Sequence, residues 1–185
     1  IKESIINELG LKYNPVVISV AQHDTASAVM AVPAQTKHFA YISSGTWSLL
    51  GSETDMPYTN DAAAQLNFTN EGGYNRSTRF LKNIMGLWMI QSVRREHGKK
   101  YSWGDYVVLS KEVKDFDSIV DVNDQSFLAP DSMIGAIQDY CRKTNQKVPE
   151  TPGELALCVY DILAVCYAKA IETIENVTGY KFDTI

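Results

Sequence analysis

The chain has 185 residues, 45% hydrophobic and 21% charged, with a formal net charge of −5 and three cysteines. That composition suits one globular domain with a full core, or two small ones. It excludes an electrostatic nucleic-acid footprint, a membrane-spanning helix of ~18 apolar residues and a CxxC-type zinc site.

Residues 2–10 read as a helix carrying Ile5, Ile6 and Leu9, with Gly10 as its C-cap. Asn14-Pro15 turns the chain into a buried strand at 16–21. A short Ala-rich helix follows over 24–31 and is closed by Pro33. Residues 39–43 and 47–51 read as two strands joined by Ser44-Gly45-Thr46, a hairpin that makes the sheet mixed rather than purely parallel. Then come a polar loop over 53–61, a short strand over 65–69 and a turn at Asn70-Glu71-Gly72-Gly73.

The strongest middle helix is predicted over 79–96, apolar almost all round and therefore buried on most faces. Its polar exceptions Asn83 and Gln91 fall on one ridge with Leu87, about 12 Å apart along the axis. That reach would span an extended ligand; equally, both amides could satisfy nearby backbone groups. His97-Gly98 ends this helix, and His38 and His97 are expected at the surface. A second helix is predicted over 101–112, then an irregular stretch with a candidate strand at 118–122, then a helix from Ala129-Pro130-Asp131 to about residue 144.

Thr151-Pro152-Gly153-Glu154 is a capping box with Pro at the first helical position, opening a long helix that runs to about residue 178 and stops at Gly179. Phe182-Asp183-Thr184-Ile185 reads as entry into a further strand, so a larger protein is expected. No linker or repeat divides the chain, and no leader opens it, which points to a cytoplasmic setting. Cys141, Cys158 and Cys166 are expected as reduced, mostly buried thiols, although a bridge between Cys141 and Cys158 on neighbouring helices is geometrically open.

Two stretches carry candidate chemistry. Gln22-His23-Asp24-Thr25-Ala26-Ser27-Ala28 places a carboxylate between a strand and a helix, where it could act as a base or simply cap the helix. Ile42-Ser43-Ser44-Gly45-Thr46-Trp47-Ser48 gathers hydroxyls and a glycine at a strand end, either as a phosphate-holding loop or as an ordinary hairpin turn. A carboxylate facing a phosphate loop is the minimum apparatus for phosphoryl transfer to a hydroxyl. That reading expects Asp24 and Thr46 to open onto a common hollow at one edge of the sheet.

The two stretches, extended to Val29 and from Tyr41 to Leu49, together with Thr69-Asn70-Glu71-Gly72-Gly73 and Leu81-Lys82-Asn83-Ile84-Met85-Gly86-Leu87-Trp88, resemble the FGGY carbohydrate kinases in order and spacing, from about residue 15 onward. The resemblance implies an actin-like, ribonuclease-H-like α/β ATPase fold, a mixed sheet with helices. Residues 1–185 would be the front part of the C-terminal domain. The N-terminal domain with its Asp-x-Gly loop, and the distal glycine-rich nucleotide turn, would lie outside this segment, which alone should bind ATP poorly and turn over little.

By motif position, the resemblance makes Asp24 the catalytic base, with His23, Thr25 and Asn83 on the sugar. Gly45 and Thr46 would contact ATP phosphates and Gln91 the nucleotide. It implies ATP with Mg²⁺, although no metal-ligand cluster is visible, and it implies the N-terminal kinase domain of the same protein as partner. The leading substrate is L-rhamnulose, giving the 1-phosphate in rhamnose catabolism. L-fuculose, D-xylulose or a non-catalytic actin-like binding module are the alternatives.

Overall fold

A computed structural model describes residues 1–185 apart from Ser19 and Gln22. Helix α1 (Glu3–Glu8) ends before Gly10, whose φ of +60° suits a residue without Cβ. Residues 16–18 then run outside any strand, with Val16, Val17 and Ile18 all strongly exposed. The strand expected at 16–21 is therefore not formed by its described residues; Ser19 lies outside them, as does Gln22, the first residue of the His-Asp-Thr motif. β-branched residues favour extension, but a strand also needs a neighbour to complete its ladder. Helix α2 (Asp24–Met30) follows, as its Ala-rich sequence indicates.

Four strands, β1 (Tyr41–Ser44), β2 (Ser48–Thr54), β3 (Phe68–Gly72) and β4 (Thr78–Ile84), form a sheet of order β1-β2-β4-β3, and every neighbouring pair is antiparallel. The parallel component of the expected mixed sheet is limited, among the described residues, to one bridge between Phe39 and Thr184. There the Ala40 N–H donates to the Thr184 carbonyl at 3.0 Å. A short helix α3 (Asp61–Gln65), capped by the Asn60 side chain, precedes β3. The expected turn at 70–73 belongs mostly to β3, and the chain reverses instead through a 3₁₀ turn at Tyr74–Arg76.

The largest departure from expectation lies at 79–96. Its first half is β4, and only the second half is helical, as α4 (Trp88–Glu96). β4 is an interior strand between β2 and β3, covered on both faces, so Phe80, Leu81 and Ile84 are all buried. Such a strand loses the alternation that would reveal it, and a short apolar run cannot be told from a buried helix by period alone. The break falls at Gly86, where a Cβ would stand 2.5 Å from Ser48 Oγ.

Helices α5 (Trp103–Glu112), α6 (Met133–Lys143) and α7 (Pro152–Thr178) complete the fold. The Thr151–Glu154 capping box opens α7, and Gly179 closes it in the left-handed conformation at φ +82°. The candidate strand at 118–122 remains irregular. The Gln146 carboxamide takes both the N–H and the carbonyl of Ile119, at 2.9 Å each, and so replaces a ladder partner.

The main core joins Leu50, Phe68, Phe80 and Ile84 of the sheet to Leu155, Val159, Ile162 and Ile174 of α7. A smaller cluster, Val29 with Phe39 and Tyr41, holds α2 against the sheet. Tyr41 pairs with Gly51 and Gly51 with Leu81, and side chains alternate along β4, so α2 lies on the face that also carries Asn83.

All three cysteines are free. Cys141 and Cys158 are fully buried, and burial pushes both thiols up, Cys158 to about 12. The two histidines expected at the surface are only partly exposed: His38 lies against the Tyr180 ring, and His97 Nδ1 is 2.7 Å from the Tyr106 hydroxyl. Among the described residues no helix is long and apolar enough to cross a membrane.

Candidate active site

Asp24 is the first residue of α2 and not its N-cap, which is His23 in extended conformation. An acidic side chain in a first helical turn is favoured by the exposed N–H groups there. Asp24 Oδ1 accepts the Thr25 backbone N–H at 2.6 Å and the Thr25 hydroxyl at 3.3 Å, and His23 Nδ1 stands 3.5 Å away. The Thr25 N–H, and then the His23 imidazole, lower the Asp24 pKa below its usual carboxylate value. The carboxylate is therefore ionised at neutral pH, and its side chain is 94% exposed. Thr25 is buried and His23 exposed, so this triplet presents an acid and an imidazole outward from a threonine anchor.

Ser44, Gly45, Thr46 and Trp47 make the β1–β2 hairpin turn. The Gly45 N–H donates to the Trp47 carbonyl at 2.9 Å, closing the turn on itself. The junction between β4 and α4 grips it from outside. The Leu87 N–H donates to the Gly45 carbonyl at 2.9 Å, and the Trp88 N–H to the Thr46 carbonyl at 3.2 Å. Gly45 does not use a positive φ, and a Cβ there would meet only the Trp47 carbonyl oxygen, at an ordinary 3.6 Å. Its fold does not require glycine, and the bare backbone leaves the loop open to close approach.

Thr46 is exposed, and its hydroxyl donates to Gln91 Oε1 at 3.3 Å. Asn83 is exposed on β4, opposite Leu49 of β2, with no side-chain hydrogen bond among the described residues. Asn83 and Gln91 thus do not share a helical ridge. One lies on a strand and the other on the helix after it, so the 12 Å axial spacing does not apply. The fold brings Thr46 to Gln91 and His23 to Asp24 and Thr25, and it places α2 on the Asn83 face. No hydrogen bond or ion pair links the His23–Thr25 triplet, the Thr46–Gln91 pair and Asn83 to one another among the described residues. Among the described residues, the better-formed surface grooves, of about 150 to 600 Å³, are lined by other residues than Asp24, Thr46, Asn83 and Gln91. The grip of the β4–α4 junction on the hairpin escaped sequence reasoning because that junction fell inside a predicted helix; Gly86 was the one local signal for it.

Residues 40–185 match the model of the FGGY family of carbohydrate kinases, C-terminal domain. The chain belongs to this family. It is 48% identical, over 169 residues, to a protein named rhamnulokinase from Ligilactobacillus salivarius, covering 91% of this chain and 35% of that protein. It is 48% identical over its whole length to a rhamnulokinase of Oceanobacillus iheyensis, covering 38% of that protein. A rhamnulokinase of Bacillus subtilis is 49% identical over 162 residues, covering 88% of this chain and 33% of that protein. The chain therefore spans little more than a third of the length of the curated relatives it matches. In this FGGY chain the hairpin loop, Asn83 and Gln91 fall within the matched residues, whereas His23, Asp24 and Thr25 precede them.

The residues present suit a nucleotide phosphate in part. An exposed hydroxyl, a carboxamide and an uncrowded glycine offer donors and access, but no cationic side chain stands in the loop. Among the described residues no three His, Cys, Asp or Glu side chains gather as metal ligands.

Proposed function

We propose that this chain is part of an ATP-dependent sugar kinase that phosphorylates L-rhamnulose at its 1-hydroxyl, with Asp24 as the general base. The observation carrying this reading is near-half identity, along the whole chain, to proteins named rhamnulokinase, in a chain that presents an ionised Asp24 to solvent. The finer fold would be actin-like. The antiparallel strands, the long α7 and the parallel bridge at Thr184 support that reading. The N-terminal kinase domain of the same protein would supply the opposite wall of the cleft.

When bound against the Gly45–Thr46 loop, ATP would supply the phosphoryl group. Asp24 takes the proton from the attacking sugar hydroxyl. A carboxylate with a lowered pKa is a weak base, which suffices when the transition state is loose and the proton leaves late. His23, Thr25 and Asn83 orient the sugar. The Thr46 hydroxyl exchanges its long, exposed bond to Gln91 for a phosphate oxygen, which frees the Gln91 carboxamide for the nucleotide. Little is lost in that exchange, because a 3.3 Å O–H···O contact is weak.

The test is Asp24→Asn in the complete protein. Turnover of L-rhamnulose should fall by about 10²–10⁴-fold, with an unchanged circular dichroism spectrum. Activity within a few-fold of wild type removes Asp24 from this role. A ketose panel including L-fuculose and D-xylulose identifies the sugar, and sugar binding without turnover of any ketose would favour a non-catalytic module.

A further inference from the structure

We infer that Tyr167, in the middle of α7, is a positioning residue for the Gly45–Thr46 loop and acts through Ser48. This rests on the proposed role of that loop in holding ATP phosphates.

The argument begins at the start of β2. Ser48 is completely buried, one residue after the exposed Trp47 and two after the exposed Thr46. Its Oγ lies 2.6 Å from the Tyr167 hydroxyl, across 119 positions of sequence. It is the only polar side-chain contact among the described residues that ties the hairpin to α7. Behind it stands Gly86, so close that a Cβ would come within 2.5 Å of Ser48 Oγ, 2.8 Å of its N and 2.9 Å of the Trp47 carbonyl carbon. Ser48 is thus held between a backbone that cannot accept a side chain and a hydroxyl on a long, well-capped helix.

Together with the Leu87 and Trp88 N–H groups on the Gly45 and Thr46 carbonyls, this makes a grip from two directions. The β4–α4 junction holds the outward carbonyls, and α7 holds the inward hydroxyl. A short loop fastened at both ends has little freedom to reorient the exposed Thr46 hydroxyl. Preorganisation of that kind is what a phosphate-positioning group requires, since transfer is governed by placement more than by covalent chemistry. Asp24 lies on the other face of the sheet from α7, so the clamp should leave the base and the sugar side untouched.

Tyr167→Phe removes one oxygen and keeps the ring. In the complete protein, without ATP, amide hydrogen exchange at Gly45 and Ser48 should accelerate about tenfold while the interior of β4 is unchanged. In the complete protein, ATP affinity by calorimetry should weaken about three- to tenfold, the range of one neutral hydrogen bond. Affinity for L-rhamnulose should not move. Ser48→Ala should give the same pattern, and the double variant should be no worse than either single one. A general structural role would instead weaken ATP and sugar binding together and speed exchange throughout the sheet, which would overturn the inference. Unchanged exchange at Gly45 and Ser48 would sink the clamp alone, whereas failure of the complete protein to bind ATP would sink the proposed function.

Discussion

Thr46 Oγ1 lies 3.3 Å from Gln91 Oε1, so a hairpin turn and the first turns of a helix 45 residues later meet in one solvent-facing polar pair. Thr46→Val keeps the shape of the side chain and removes its donor. It is expected to weaken ATP binding by the complete protein about three- to tenfold, the worth of a single neutral hydrogen bond. Gln91→Ala should act in the same direction, and neither should alter sugar affinity. Calorimetric titration with each ligand separately checks both.

Arg79 and Glu71 test the interior. Arg79 is 1% exposed, and its Nη2 donates to Glu71 Oε2 at 2.8 Å, while its Nη1 and the nearby Tyr41 hydroxyl are buried and, among the described residues, make no hydrogen bond of good geometry. Glu71→Gln leaves a buried guanidinium without its counter-charge. The loss is expected to be about 2–4 kcal/mol, toward the low end of the cost of breaking a buried pair, because Glu71 retains 32% exposure. Urea unfolding measures it. Arg79→Met in the same background should recover part of the loss, since the buried guanidinium and its partner charge are then both gone.

Two glycines should behave differently. At Gly51 a Cβ would lie 2.5 Å from Leu81 Cβ and 2.6 Å from the Phe80 carbonyl oxygen, both in the central strand. Gly51→Ala is expected to cost about 1–3 kcal/mol through overpacking. Gly45→Ala meets only ordinary contact and should stay within about 0.5 kcal/mol of wild type. Thermal unfolding of the two variants side by side decides this, and a stability loss at Gly45 as large as at Gly51 would contradict the open-loop geometry.

His97 sets an acid limb of stability. Burial is the main cause that lowers its pKa, assisted by Lys100 and opposed by Glu96. The unfolded chain, with its ordinary value near 6.5, therefore takes up the proton first as pH falls. This contribution is fully present above that value and is lost as pH drops through the lower folded-state pKa. His97→Gln should flatten the dependence of the urea midpoint as pH falls below neutral. An unchanged slope in the variant would assign the limb to other groups.

The helix boundaries set by caps were legible in the residues themselves. Thr151 and Glu154 bond each other's backbone within four positions, and Gly179 needs only its own φ. The β1–β2 hairpin was equally local, because Gly45 and Thr46 sit between two short β-forming runs. The family motifs could be read in order without any contact being known. Tertiary structure alone decided that 78–84 is a strand, because its apolar residues face two covered sides and carry no helical or alternating period of their own. It alone left 16–18 outside the described strands, because extended preference by itself forms no ladder. It also brought Gln91 to Thr46 and Tyr167 to Ser48, pairings 45 and 119 positions apart. Caps and turns are bonds between near neighbours and are written in adjacent residues; a sheet's interior strand and a loop's clamp are made by distant partners, whose arrival no local pattern records.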